Sequence, residues 1–175
     1  ALYAGRVASG FEDGLRIAAT HSGDSDSTAA IAGNLLGLLF PAEAGALYLA
    51  VSGADQVAQV INWGRQPPEE PGFETEACVA LRRGRLHSAE LPQAGPQCQH
   101  VGETTALSYL CVPLIAQGET LGVLHLRLRR NSGLMPDPDT PRESFNDAKQ
   151  RLANTVAERL ALALANLKLQ AQLRA

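Results

Sequence analysis

Cys98 and His100 stand two residues apart. In an extended segment their side chains point to one side with about 7 Å between Cα atoms, close enough to share a ligand or a metal ion. Cys78 falls in the first turn of a short helix read from Thr75 or Glu76 to Gly84, with Arg82 one turn on and Arg83 beside it. A helix end and two cations favour thiolate there. His87, just past that helix, approaches the same region. Cys78, His87, Cys98 and His100 together supply thiolate and imidazole, ligand types that suit zinc or iron. Their spacing follows no standard metal pattern, so it favours the plainer alternative of buried thiols with hydrogen-bonded imidazoles.

The remaining reactive side chains read more simply. Cys111 alternates with Val112 inside an apolar strand, where free cysteine is ordinary core. His125, within LGVLHLRL, faces away from Leu124 and Leu126, either as a polar residue on one sheet face or as a hydrogen-bonder in a pocket. Arg65, Arg82, Arg83 and Arg85 could bind a phosphate or carboxylate, but four arginines over twenty residues more often pair with nearby carboxylates such as Glu69, Glu70, Glu74 or Glu76.

These residues need elements to hold them. Val7, Phe11, Leu15 and Ala18 mark an N-terminal helix over residues 1–24, ended by SGDSDS. Ser27 then caps a helix with Ile31, Leu35, Leu38 and Leu39 as its apolar stripe, stopped by Pro41. ALYLAV (Ala46 to Val51) and VAQVINW (Val57 to Trp63) make a hairpin, and GRQPPEEPG (Gly64 to Gly72) is an exposed connection. After the short helix, Leu91 to Ser108 lacks any sustained period and reads as an irregular crossover, a kind of loop that is often functional. YLCVPLIA (Tyr109 to Ala116) and TLGVLHLRLRR (Thr120 to Arg130) form the clearest hairpin. A second break, Asn131 to Glu143, leads into a final helix over 144–175. The order predicts an α+β fold, an antiparallel sheet with helices gathered on one side and long N- and C-terminal helices.

The final helix carries Val156, Leu160, Ala163 and Leu167 on a 4-3-4 spacing, with Leu162, Leu169 and Leu173 on another face. One face can cover the sheet while the other pairs with a second chain, and the first set is taken as the dimer seam.

Composition bounds the function. The chain has 175 residues, 45% hydrophobic and 19% charged, which fits one globular core with helical extensions and excludes disorder. A net charge of −3 provides no field for a nucleic-acid backbone or an anionic membrane. Leu35 to Val51, the longest apolar stretch, is broken by Pro41 and Glu43 and is too interrupted for a membrane span. Three cysteines without a CxxC pair suggest neither a disulfide framework nor a zinc finger, and the expected location is the reducing cytoplasm.

YLCVPLIAQGETLGVLHL (Tyr109 to Leu126) resembles the closing hairpin of a GAF domain, and the predicted topology agrees. CVALRRGRLH (Cys78 to His87) with CQH (Cys98 to His100) resembles a bacterial GAF subgroup found in front of diguanylate cyclases and sensor kinases, with Val79 where that subgroup carries Trp. The resemblance implies a sensory domain over 25–143 with a small-molecule pocket between the sheet and the short helix with its crossover. Candidate contacts there are Cys78, Arg82, His87, Cys98, His100, Tyr109 and His125, with the ligand unspecified, a small molecule or a metal. It further implies a homodimer through the terminal helices and an effector elsewhere in a longer protein. The alternative is a thiol enzyme of the free methionine sulfoxide reductase type, with Cys78 and Cys98 near the cysteines of those enzymes; against it, VLHLRL lacks their acidic strand ending.

Overall fold

A computed structural model of the chain describes residues 34, 36–40, 43–65, 67–90, 95–101, 106–129 and 145–174. The expected N-terminal helix lies outside these residues, as does most of the helix read after Ser27. Six strands form one antiparallel sheet: β1 (Ala44–Ala50), β2 (Gln56–Trp63), β3 (Gly72–Glu74), β4 (His87–Glu90), β5 (Ala106–Ala116) and β6 (Glu119–Arg129), in the spatial order β3-β2-β1-β6-β5-β4. A single 3-10 turn (Thr75–Ala77) precedes helix α1 (Val79–Arg83), and another (Gln99–Val101) interrupts the crossover. Helix α2 spans Asp147–Arg174.

The β5–β6 hairpin forms because two apolar runs flank Gln117 and Gly118, whose φ angles of 54° and 79° give the left-handed turn that matches strand twist. β6 is pressed against β1 at Gly122, where a Cβ would lie 2.1 Å from the Tyr48 carbonyl oxygen. Period-two alternation then sorts the side chains. Leu110, Val112, Leu114, Leu124, Leu126 and Leu128 face one core, shared with Leu36, Phe40, Trp63 and α2. Tyr109, Cys111, Val123, Ala46 and Tyr48 face the other, under α1 and the crossover.

Helices therefore cover both faces: α2 and residues 36–40 gather on one side as expected, but α1 lies across the opposite side. β4 is a strand that the sequence did not suggest; HSAE is too short and polar to show a period and is held by its pairing with Cys111, Leu110, Tyr109 and Ser108. Before β1, the buried positions are Leu36 and Phe40, while Leu38 is 78% exposed, so the expected stripe is rotated.

Helix α2 corrects the expected dimer seam. Val156 and Leu160 are buried in the sheet core of their own chain, with Ala153, Ala157, Ala161 and Ala165. These alanines let the helix lie close on the strands, which is why the apolar set with the best spacing faces inward. Ala163 and Leu167 are half-buried at the margin. The exposed leucines are Leu152, Leu162, Leu169 and Leu173. Glu43, itself buried, ties the start of β1 to α2 through Lys149 at 2.5 Å.

Candidate functional site

Cys111 and His125 are directly opposed across the β5–β6 ladder, so both side chains leave the sheet on the α1 side. Cys111 Sγ lies 3.2 Å from His125 Nδ1 and 3.6 Å from His100 Nε2. Cys78, the N-cap of α1, drops its thiol to 4.0 Å from Cys98 Sγ, which arrives from the crossover. The ligand atoms of Cys78, Cys98, His100 and Cys111 all lie within 4.8 Å of one another. The three cysteines are free and buried, and His100 is half-buried, forming the side nearest solvent.

Each group is held by a neighbour. The backbone N–H of Val79 donates to Cys98 Sγ at 3.2 Å, and the N–H of Cys98 donates to Tyr109 Oη at 2.8 Å. Phe73 stacks flat on the His100 ring, centroids 4.0 Å apart and planes 5° from parallel. Tyr48 in turn packs on Phe73, 4.8 Å between centroids. Its hydroxyl donates to the Glu70 carbonyl and fixes the Pro-rich connection above the site.

Electrostatics inside the cluster are uneven. Contacts from Cys111 and Cys78, helped by His100 and the Val79 N–H, hold the Cys98 thiol far below the ordinary range. At Cys78 the contact with Cys111 pulls downward, but Cys98 and burial outweigh it and push the thiol up to about 11. Cys111 is raised well above its usual value, chiefly by burial. Burial also lowers His125 to about 3, with His100 and Arg127 adding to it, so the ring is neutral at physiological pH.

The structure thus brings together Cys78, Cys98, His100, Tyr109 and His125 from the sequence candidates. Two expectations are corrected. Arg82 is exposed, as are Arg83 and Arg65, and the Cys78 thiol is raised rather than activated. His87 takes no part in the donor set; it sits in β4 with its ring edge-on to Tyr109, and its Nε2 has no hydrogen-bond partner among the described residues. It lines a separate cleft of about 290 Å³ with Glu90, Gln97, Ser108 and Gln150. Cys111 is core, as read from its strand, and its thiol also joins the ligand atoms that His87 does not reach. The strand alternation that placed His125 opposite Leu124 and Leu126 would have placed Cys111 beside it, had the hairpin register been counted.

The GAF domain pattern matches residues 24–164, most of the chain. The chain belongs to the GAF domain family. No curated protein matches its sequence. Among solved structures it resembles the GAF domain of a phosphoenolpyruvate-protein phosphotransferase from Coxiella burnetii, with 18% identity and a TM-score of 0.61, covering 90% of this chain and 94% of that one. A methyl-accepting chemotaxis protein fragment gives 15% identity and 0.64, covering 89% and 98%. The free methionine-R-sulfoxide reductase of Neisseria meningitidis, in complex with its substrate, gives 16% and 0.61, covering 87% and 84%. At these identities the likeness fixes the GAF fold, which regulatory proteins and an enzyme share. No helix among the described residues is long and apolar enough to cross a membrane.

Proposed function

We propose that this GAF domain is a non-enzymatic sensory module of a bacterial signalling protein, with the cysteine–histidine cluster as its sensing site and α2 as its output. One observation carries the reading: the cluster and the terminal helix lie on opposite faces of the same two strands. Cys111 is flanked by Leu110 and Val112, and His125 by Leu124 and Leu126, all four packed in the core that holds α2. A displacement of either site residue moves strands on which the helix rests. Beyond Ala165 the helix has no buried residue among those described; Lys168 pairs with Glu119 at the start of β6, and the helix runs on to Arg174, a stretch suited to pass motion to an effector in the same protein.

The module pairs with a second copy through the outer face of α2. Leu162, Asn166, Leu169 and Leu173 fall on the alternating four- and three-residue steps of a two-stranded seam, and three of them are exposed leucines. The expected compartment is the cytoplasm, from the cysteine usage, and the effector a cyclase or kinase, from the resemblance of the CVALRRG and CQH segments.

The thiol-reductase reading keeps two supporting observations, the similarity to methionine sulfoxide reductases and the lowered Cys98 thiol. Burial of all three thiols, with Cys78 and Cys111 held as neutral thiols, weighs against turnover. Amide exchange along Asn166 to Arg174, compared between the native chain and a Cys98→Ser variant, tests the sensory reading. A changed exchange rate in that overhang is expected; unchanged exchange overturns the coupling, and product from free methionine sulfoxide with a dithiol reductant overturns the non-enzymatic reading.

A further inference from the structure

We infer that Cys78, Cys98, Cys111 and His100 form a mononuclear site for Zn²⁺, closed by three thiolates and one imidazole. This deepens the sensory reading, on which only its regulatory consequence rests. The donor spacing points to a single tetrahedral ion. With Zn–S of about 2.3 Å and Zn–N of about 2.1 Å, tetrahedral donors stand about 3.6–3.8 Å apart. Here Cys78 Sγ and Cys98 Sγ are 4.0 Å apart, and Cys111 Sγ and His100 Nε2 are 3.6 Å apart. The widest donor pairs, up to 4.8 Å apart, must close by about 1 Å to centre an ion, and at 4.0 Å the Cys78 and Cys98 sulfurs are not bonded to each other.

The surroundings match the needs of a metal thiolate. With all three sulfurs bound as thiolates, Zn²⁺ leaves the site with one net negative charge, and any thiol still protonated releases its proton to solvent. The Val79 amide N–H, 3.2 Å from Cys98 Sγ, faces that charge, and His125 Nδ1, 3.2 Å from Cys111 Sγ, donates to it when the neutral ring is in its Nδ1–H tautomer. Donors of this kind orient ligands and tune affinity. Phe73 fixes the His100 ring plane, and His100, the one half-buried ligand, marks the entry side. The donors come from α1, the crossover and β5, so the ion joins the segments that cover the sheet to the sheet itself. His125 is a positioning residue for Cys111.

The chain, reduced and loaded with ZnCl₂, is expected to retain one zinc per chain by native mass spectrometry and to shield its thiols from an aromatic disulfide reagent. Replacing zinc with Co²⁺ should give the visible bands of tetrahedral cobalt and a thiolate charge-transfer band. Cys111→Ser and His100→Ala should each lose most retained metal. His125→Phe should keep the stoichiometry and weaken affinity about 10–100-fold. His87→Ala should change nothing. Wild-type chain that stays metal-free with reactive thiols, or a tetrahedral cobalt spectrum unaltered by Cys111→Ser, overturns the assignment; the wild-type spectrum decides even where a variant does not fold. Zinc retained without any response of α2 to Cys98→Ser leaves the metal site standing and refutes the sensory reading. A response of α2 in a chain that binds no zinc does the reverse.

Discussion

The Tyr109 hydroxyl accepts the backbone N–H of Cys98 at 2.8 Å, across eleven residues of sequence. A strand residue thereby fixes the height of the crossover above the sheet, and with it the position of one sulfur. The hydroxyl is buried and its ionisation strongly suppressed, so the bond is between neutral groups. Tyr109→Phe keeps the ring and deletes the acceptor, leaving a buried N–H unpaired. The expected loss is about 1–3 kcal/mol, read as a lower urea midpoint. An unchanged midpoint would show that the crossover is held by other contacts.

Lys149 and Glu43 make a second such tie, between α2 and the start of β1. The carboxylate is buried, with 1% of its side chain exposed, while the Lys149 side chain keeps 33%. Lys149→Met should therefore cost more than an ordinary surface change, about 3 kcal/mol, because it leaves the carboxylate uncompensated. Replacing both residues with apolar ones of similar size, Glu43→Leu with Lys149→Met, should recover most of the loss. Thermal unfolding of the two variants beside the native chain checks the order.

Tyr48 offers a spectroscopic check of the packing over the site. Burial pushes its phenol up to about 12, with the Glu70 charge adding to the effect and Gln59 opposing it. The folded state thus disfavours the phenolate. The stabilisation is present in full below the ordinary value near 10 and is lost as pH rises from there toward 12. Ultraviolet titration at pH 10.5 (roughly the middle of that window) should show Tyr48 still protonated in the folded chain and ionised once the chain is unfolded. Tyr109, whose ionisation is also suppressed, stays protonated beside it, so a Tyr48→Phe variant should lose one of two delayed steps and keep the other; a variant that titrates like the native chain would refute the assignment to Tyr48.

The parts of this GAF domain that were legible in sequence are those with local signals. The β5–β6 hairpin announced itself through two apolar runs and a Gln-Gly turn, and Gly84 ended α1 with a φ of 61°. Cys78, Cys98 and His100 could be grouped because the helix and crossover had to cover the same end of the sheet. What was not legible depends on register and rotation. Counting which strand residues oppose each other separates Cys111 from ordinary core, and four polar-rich residues become β4 only through pairing with β5. Choosing the buried face of α2 required knowing that alanines, not leucines, would meet the strands, since close approach favours small side chains.

That choice of face yields the last prediction. Leu160 is 4% exposed and Leu162 46%, two residues apart on one helix. A charge at Leu160 enters the core shared with β5 and β6, where an unpaired carboxylate must be desolvated or protonated at a cost of several kcal/mol. That is a large part of the roughly 5–15 kcal/mol by which domains are stable. Leu160→Asp should therefore unfold the domain, as read by circular dichroism. Leu162→Asp with Leu169→Asp should leave the dichroism unchanged, because both positions lie outside the sheet core. In sedimentation the native chain should behave as a dimer and the double variant as a monomer. A native chain that sediments as a monomer at micromolar concentration would refute pairing through this face. A double variant that remains dimeric would move the pairing surface elsewhere on the molecule.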